Sequence, residues 1–109
     1  VQYEIIRAGK GPKPQADQNV AVHYSCTHLD GREFDRSDPS AKPVVFPIKS
    51  VIPGWQQVLP LMTVGSKWRV VVPAELGYGA FGSPPDIEPN EALIFEIELV
   101  SIVADAQAE

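Results

Sequence analysis

Apolar and polar residues alternate over three stretches of this chain, and those stretches outline a sheet. From Asn19 to Leu29, Val20, Val22, Tyr24 and Cys26 fall on one face and Ala21, His23 and Ser25 on the other. A period of two over that length predicts a half-buried strand. Lys67 to Pro73 repeats the pattern, with Trp68, Val70 and Val72 on one side. So does Ala92 to Ile102, where Leu93, Phe95, Ile97 and Leu99 point inward and Glu96 and Glu98 outward. Shorter β-prone runs cover Gln2 to Arg7, Arg32 to Asp35 and Val44 to Phe46. The second of these follows Asp30-Gly31, a strong hairpin signal. Only Trp55 to Met62 falls out of step, with Trp55, Val58, Leu59 and Met62 at helical spacing. Pro60 removes the hydrogen bond to the Gln56 carbonyl, so this helix is short, about two turns, and bent at its end. Gly65 stands where a left-handed C-cap would close it.

The segments between are turn-rich. Ala8 to Pro14 reads as a linker and Arg36 to Pro43 as a loop. Ala74 to Glu91 is a long, weakly periodic loop, and a loop of that length in a small domain is usually functional. Residues 104–109 form a tail expected to fray. Taken together, the pattern predicts one α+β domain over residues 1–103, an antiparallel sheet packing its apolar face on a single helix.

Composition narrows the function. At 109 residues, with 44% hydrophobic and 21% charged, the chain is long enough for one core without metal or disulfide staples. A net charge of −5 argues against nucleic acid and anionic membrane surfaces as partners. No apolar run approaches the ~20 residues that span a bilayer. No leader peptide is present within the 109 residues, so any such signal would lie upstream. Cys26 is the sole cysteine, which excludes an internal disulfide and leaves the compartment open.

Candidate chemistry centres on Val51-Ile52-Pro53-Gly54-Trp55. Pro53 and Gly54 should turn an extended segment into the helix, setting a large indole at its mouth beside the Ile52 amide. Trp55 is then either a core residue or the floor of a pocket. The aromatics pointed toward the helix, Tyr24, Phe34, Phe46, Trp55 and Phe95, with Tyr78 from the long loop, exceed what so small a core needs. Val51, Ile52 and Ile87 offer aliphatic walls. Asp35, next to Phe34, places a carboxylate at the rim, either as a functional group or as a hydrogen-bond partner that stiffens Tyr24. His23, Cys26 and His28 do not make a metal site, since His23 faces away from the other two on a strand and zinc wants three or four ligands. Glu33 and Asp35 lack anything to activate a water, and Cys26 lacks a base. Neither metal nor cofactor is called for.

The series Val22-His23-Tyr24, Asp30-Gly31 through Phe34-Asp35, Val51 to Trp55, Leu76-Gly77-Tyr78-Gly79 and Leu93-Ile94-Phe95 resembles the FKBP-type peptidyl-prolyl cis-trans isomerases, in order and with matching spacing. Phe46-Pro47-Ile48 and Leu61 to Trp68 make it most similar to the bacterial macrophage infectivity potentiator branch. The resemblance implies a strongly twisted antiparallel sheet wrapped around one short helix, with the active site between them. Carried over, it makes Trp55 the floor under a substrate prolyl ring and Tyr24, Phe46, Val51, Ile52 and Phe95 the walls. The Ile52 amide and Tyr78 hydroxyl become hydrogen-bond donors to substrate carbonyls, Asp35 and Phe34 the rim, and Ile87 part of the flap. Asp35, Tyr78 and Ile52 would then act in catalysis on X-Pro polypeptides.

The same resemblance implies binding of macrolides such as rapamycin, and leaves open a non-catalytic proline-binding or chaperone module with the same pocket. It favours a bacterial periplasm or cell envelope over the cytoplasm, and a monomeric domain whose full-length parent dimerises through an N-terminal extension. Ser40 stands where many relatives carry an arginine that pairs with the rim aspartate. Val44, Ser83 and Asp86 also depart from common family choices, and Pro60 within the helix is unusual.

Overall fold

The computed structural model describes residues 1–38 and 40–103. Its strands are β1 (Gln2–Arg7), β2 (Asn19–Thr27), β3 (Glu33–Arg36), β4 (Val44–Pro47), β5 (Lys67–Val72) and β6 (Leu93–Val103), with one α-helix among the described residues, α1 (Pro53–Val58), after β4. All pairings are antiparallel, in the order β1-β5-β6-β2-β3, with β4 also on β2. The α+β class and each element read from periodicity are therefore present. Residues 104–109, read above as a fraying tail, lie outside the described residues.

β2 and β6, the two longest alternating runs, form the centre, registered from Asn19 opposite Val103 to Thr27 opposite Ile94. Along the other side of β2, β4 pairs with Asn19 to Val22 and β3 with Ser25 to Thr27. His23 and Tyr24 fall in the gap between them. Buried Ser37 fills that gap like a missing rung: its N–H donates to the Tyr24 carbonyl at 2.9 Å and its Oγ accepts the Tyr24 N–H at 2.9 Å.

The helix buries Gly54, Trp55 and Val58 against Val20, Val22, Val70, Val72, Ile97 and Leu99 of the sheet. Gly54 is required by proximity, since a Cβ there would meet Val72 Cγ1 at 2.6 Å. The helix ends at Val58, earlier than the spacing to Met62 implied, and continues as a 3-10 turn from Leu59 to Leu61. Pro60 is the cause: without an N–H it cannot extend the α ladder but suits the start of a new turn. Gly65 is not the helix cap. Its positive φ of 92° serves a turn closed by the Ser66 N–H on the Thr63 carbonyl at 3.0 Å, leading into β5.

Candidate functional site

A cavity of about 350 Å³ opens between α1 and the sheet. Tyr24 and Cys26 reach it from β2, Phe34 and Asp35 from β3, Phe46 from β4 and Phe95 from β6. Ser50, Val51, Ile52 and Trp55 enclose it on the helix side, and Tyr78 on the long loop. Trp55 is its floor. Trp55 is only 4% exposed, and three rings stand on edge around its indole: Tyr24 at 5.6 Å and 76°, Phe46 at 5.8 Å and 86°, Phe95 at 5.4 Å and 84°. Edge-to-face pairs of this kind add roughly 0.5–1.5 kcal/mol each beyond burial, so the box is stiff. The indole N–H has no acceptor among the described residues. A buried orphan donor costs about 1–3 kcal/mol, which packing alone would not select.

Phe34 and Asp35 are sequence neighbours, and a strict period of two would send them to opposite faces. A β-bulge resolves this. Cys26 pairs with Asp35 while Thr27 pairs with Glu33, so Phe34 is an extra residue and both side chains line the cavity. Asp35 Oδ2 accepts the Tyr24 hydroxyl at 3.3 Å, its only hydrogen bond among the described residues. Ser40 is turned away into its own loop, its N–H and hydroxyl on Asp38 Oδ1 at 2.9 and 2.7 Å.

Two donors at the mouth are unengaged. The Ile52 N–H has no acceptor among the described residues, because Ile52 is the helix N-cap and only its carbonyl is used, by Trp55 and Gln56. The Tyr78 hydroxyl likewise has no partner there, and the residue is 40% exposed. Burial, then proximity to Cys26 and to the Asp35 carboxylate, raises the Tyr78 pKa, while burial followed by Asp35 raises that of Tyr24. Both phenols therefore stay protonated and able to donate at neutral pH. Burial, reinforced by Asp35 and Glu91, pushes the Cys26 thiol up to about 12, which leaves it an inert, uncharged wall.

Tyr24, Phe34, Asp35, Phe46, Val51, Ile52, Trp55, Tyr78 and Phe95 thus meet around one cavity. Ile87 does not join them. It is 5% exposed, packed into the core cluster and absent from the lining. Its loop folds back through the Ser83–Ile87 bridge, which turns the residue inward. Cys26 and Ser50 line the cavity although neither was expected there. Cys26 could have been found by its alternation with Tyr24, and Ser50 only by its adjacency to Val51. His23, Cys26 and His28 go to separate places: His23 to Ser37, Cys26 to the cavity and His28 to Glu91.

The profile of the FKBP-type peptidyl-prolyl cis-trans isomerases matches residues 11–100. The chain belongs to this family. Among FKBP-type relatives, an outer membrane protein MIP of Legionella longbeachae is 47% identical over 102 residues, covering 94% of this chain and 44% of that protein. A peptidyl-prolyl cis-trans isomerase Mip of Coxiella burnetii is 43% identical, covering 94% and 44%. Of solved FKBP-type structures, a peptidyl-prolyl cis-trans isomerase from Pseudomonas syringae pv. tomato superposes with a TM-score of 0.87 at 40% identity, covering 94% of this chain and 74% of that one. FkpA from Escherichia coli gives 0.86 at 40% identity, covering 94% and 47%. The chain spans about half the length of the curated FKBP-type proteins it matches. Among the described residues of this FKBP-type chain, no helix is long and apolar enough to cross a membrane.

Proposed function

We propose that this chain accelerates cis–trans isomerisation of X-Pro bonds in polypeptides, with the prolyl ring seated on Trp55 inside the aromatic box. What carries the reading is the pair of unengaged donors, the Ile52 N–H and the Tyr78 hydroxyl, at the mouth of an otherwise apolar cavity. Peptide rotation faces a barrier of ~18–20 kcal/mol, sustained by resonance that gives the C–N bond partial double-bond character. The planar amide is the more polar form, so transfer into an apolar box weakens that resonance. The two donors hold the flanking carbonyls while the ring stays wedged between Tyr24, Phe46 and Phe95 and the preceding carbonyl turns. A thousandfold acceleration needs only ~4 kcal/mol of preferential transition-state binding. Nothing in this scheme requires a nucleophile or a proton transfer. Asp35 acts by orienting the Tyr24 hydroxyl and by setting the polarity of the rim.

The names of its relatives, an outer membrane protein among them, support a bacterial envelope location for the whole protein. Their greater length supports a further segment, through which the whole protein would dimerise, while the isolated domain stays monomeric.

The test is the isomerisation rate of a short X-Pro peptide. Tyr78→Phe removes one hydrogen bond worth about 1 kcal/mol and is expected to lower kcat/KM about five- to tenfold. Asp35→Leu, which frees the Tyr24 hydroxyl, should cost a comparable factor. If the unaltered chain binds Pro-containing peptides without speeding isomerisation, it is a binding module and the enzymatic reading fails.

A further inference from the structure

One polar pair lies outside the aromatic box yet is linked to both of its rims. His28 follows the last residue of β2, and Glu91 stands two residues before β6, so the pair continues the β2–β6 ladder beyond its final rung, Thr27 opposite Ile94. His28 Nδ1 donates to Glu91 Oε2, and the two side chains are only 14% and 17% exposed. Both carboxylate oxygens are engaged, because Glu91 Oε1 accepts the Glu88 N–H at 2.8 Å. The His28 hydrogen bond, followed by that from Glu88, holds the Glu91 carboxyl below the usual carboxylate range, so the acceptor is ionised at neutral pH.

The contacts on either side of this pair run in opposite directions around the mouth. The His28 ring lies 4.6 Å from the Phe34 ring at 39°, and Phe34 with Asp35 forms one rim. Next to Glu91, the Asn90 N–H donates to the Gly79 carbonyl at 2.9 Å, and the Gly79 N–H donates to the Ala74 carbonyl at 2.8 Å. Those bonds fix the turn that carries Tyr78, the other rim. The chain of contacts from Asp35 through Phe34, His28, Glu91, Asn90 and Gly79 to Tyr78 is continuous.

We infer that His28 and Glu91 are positioning residues that set the span of the cavity mouth, holding the Tyr78 hydroxyl at a fixed reach from the Phe34–Asp35 rim. The inference rests on the isomerase reading for its substrate. A substrate carbonyl can use Tyr78 only if the peptide, seated on Trp55, meets the hydroxyl within hydrogen-bond distance, and among the described residues His28–Glu91 is the one hydrogen bond that ties the loop to the end of β2. Loss of the latch widens the mouth while leaving the box around Trp55 intact. The consequence is weaker capture of the peptide with little change in turnover once it is seated.

The test measures kcat and KM separately for the isomerisation of one X-Pro peptide in the full-length protein. Glu91→Ala and His28→Leu are each expected to raise KM roughly fivefold with kcat within about twofold. The double variant should be no worse than either single change, since both remove the same tie. Glu91→Gln keeps an oxygen to accept from the Glu88 N–H and a polar atom facing His28 Nδ1, so it should restore the unaltered KM. An unchanged KM in His28→Leu, which keeps an apolar contact with Phe34 and so protects folding, overturns the inference. A Glu91→Gln as impaired as Glu91→Ala also overturns it. If the unaltered protein proves inactive, the isomerase reading fails separately, and the latch is read from peptide affinity by Trp55 fluorescence with the same two outcomes.

Discussion

Cys26 shows how a single residue takes its character from its cross-strand neighbours. It stands between Asp35 on β3 and Phe95 on β6, so its thiol faces an apolar wall on one side and a carboxylate on the other. Both influences oppose the thiolate. Folded Cys26 is therefore expected to resist alkylation at pH 8, while urea-unfolded chain reacts at the ordinary rate; rapid labelling of the folded chain would contradict the wall assignment. The sign of the pH effect follows. The pKa rises from 9.0 in the unfolded chain to about 12 on folding, so the stabilising proton is fully held below pH 9 and lost between 9 and 12. Wild-type stability should fall over that window more steeply than that of Cys26→Ala. Residue by residue, periodicity found the aromatics because alternation places them on one face. It could not foresee that Phe34 and Asp35 share a face, because a bulge is set by pairing register and not by composition. Nor could it turn Ile87 inward, since that follows from a bridge four residues wide inside the long loop.

At the scale of elements, α1 and β5 meet through a close contact in the core, Gly54 on Val72. A methyl group at Gly54 would lie 2.6 and 2.9 Å from the two Val72 methyls and 3.3 Å from the Leu76 carbonyl. Alanine improves helix propensity by about 1 kcal/mol, but overpacking typically costs 1–3 kcal/mol, and the backbone oxygen cannot swing aside. The net expectation for Gly54→Ala is a loss of about 1 kcal/mol, read as a lower urea midpoint with an unchanged slope. Val72→Ala removes the obstructing methyls, so the double variant should be destabilised by less than the sum of the singles. Strict additivity would mean that the two residues do not press on each other. The element boundaries were legible wherever alternation was long, as in β2, β5 and β6. They were less so near Pro60, where one residue without an N–H divides a continuous apolar spacing into an α-helix and a 3-10 turn.

At the scale of the whole molecule, the cavity and the core are one structure. Trp55 and Phe95 line the cavity and also belong to the buried cluster that joins helix to sheet, and Tyr24, Phe34, Phe46, Val51 and Ile52 pack against that cluster. An occupant of the box therefore fills space against residues whose positions are set by global folding, and its binding free energy should appear as global stability. A macrolide such as rapamycin, expected from the aromatic box and the two free donors, offers the test. At a hundred times its Kd, a ligand that binds only the folded chain adds about 2.7 kcal/mol. For a domain of this size each kcal/mol raises Tm by roughly 4–8 °C, so a rise of about 10–20 °C is expected. Trp55 emission should shift over the same titration, because the indole is the surface the ligand covers. Trp68 sits under Tyr3 at 4.3 Å on the β1–β5 side, away from the lining, and should report little. A rise in Tm without a Trp55 response would place the ligand elsewhere on the molecule. Neither change at saturating ligand would mean that the box does not accept macrolides, and the departures at Ser40, Val44 and Asp86 would then be the first positions to revert.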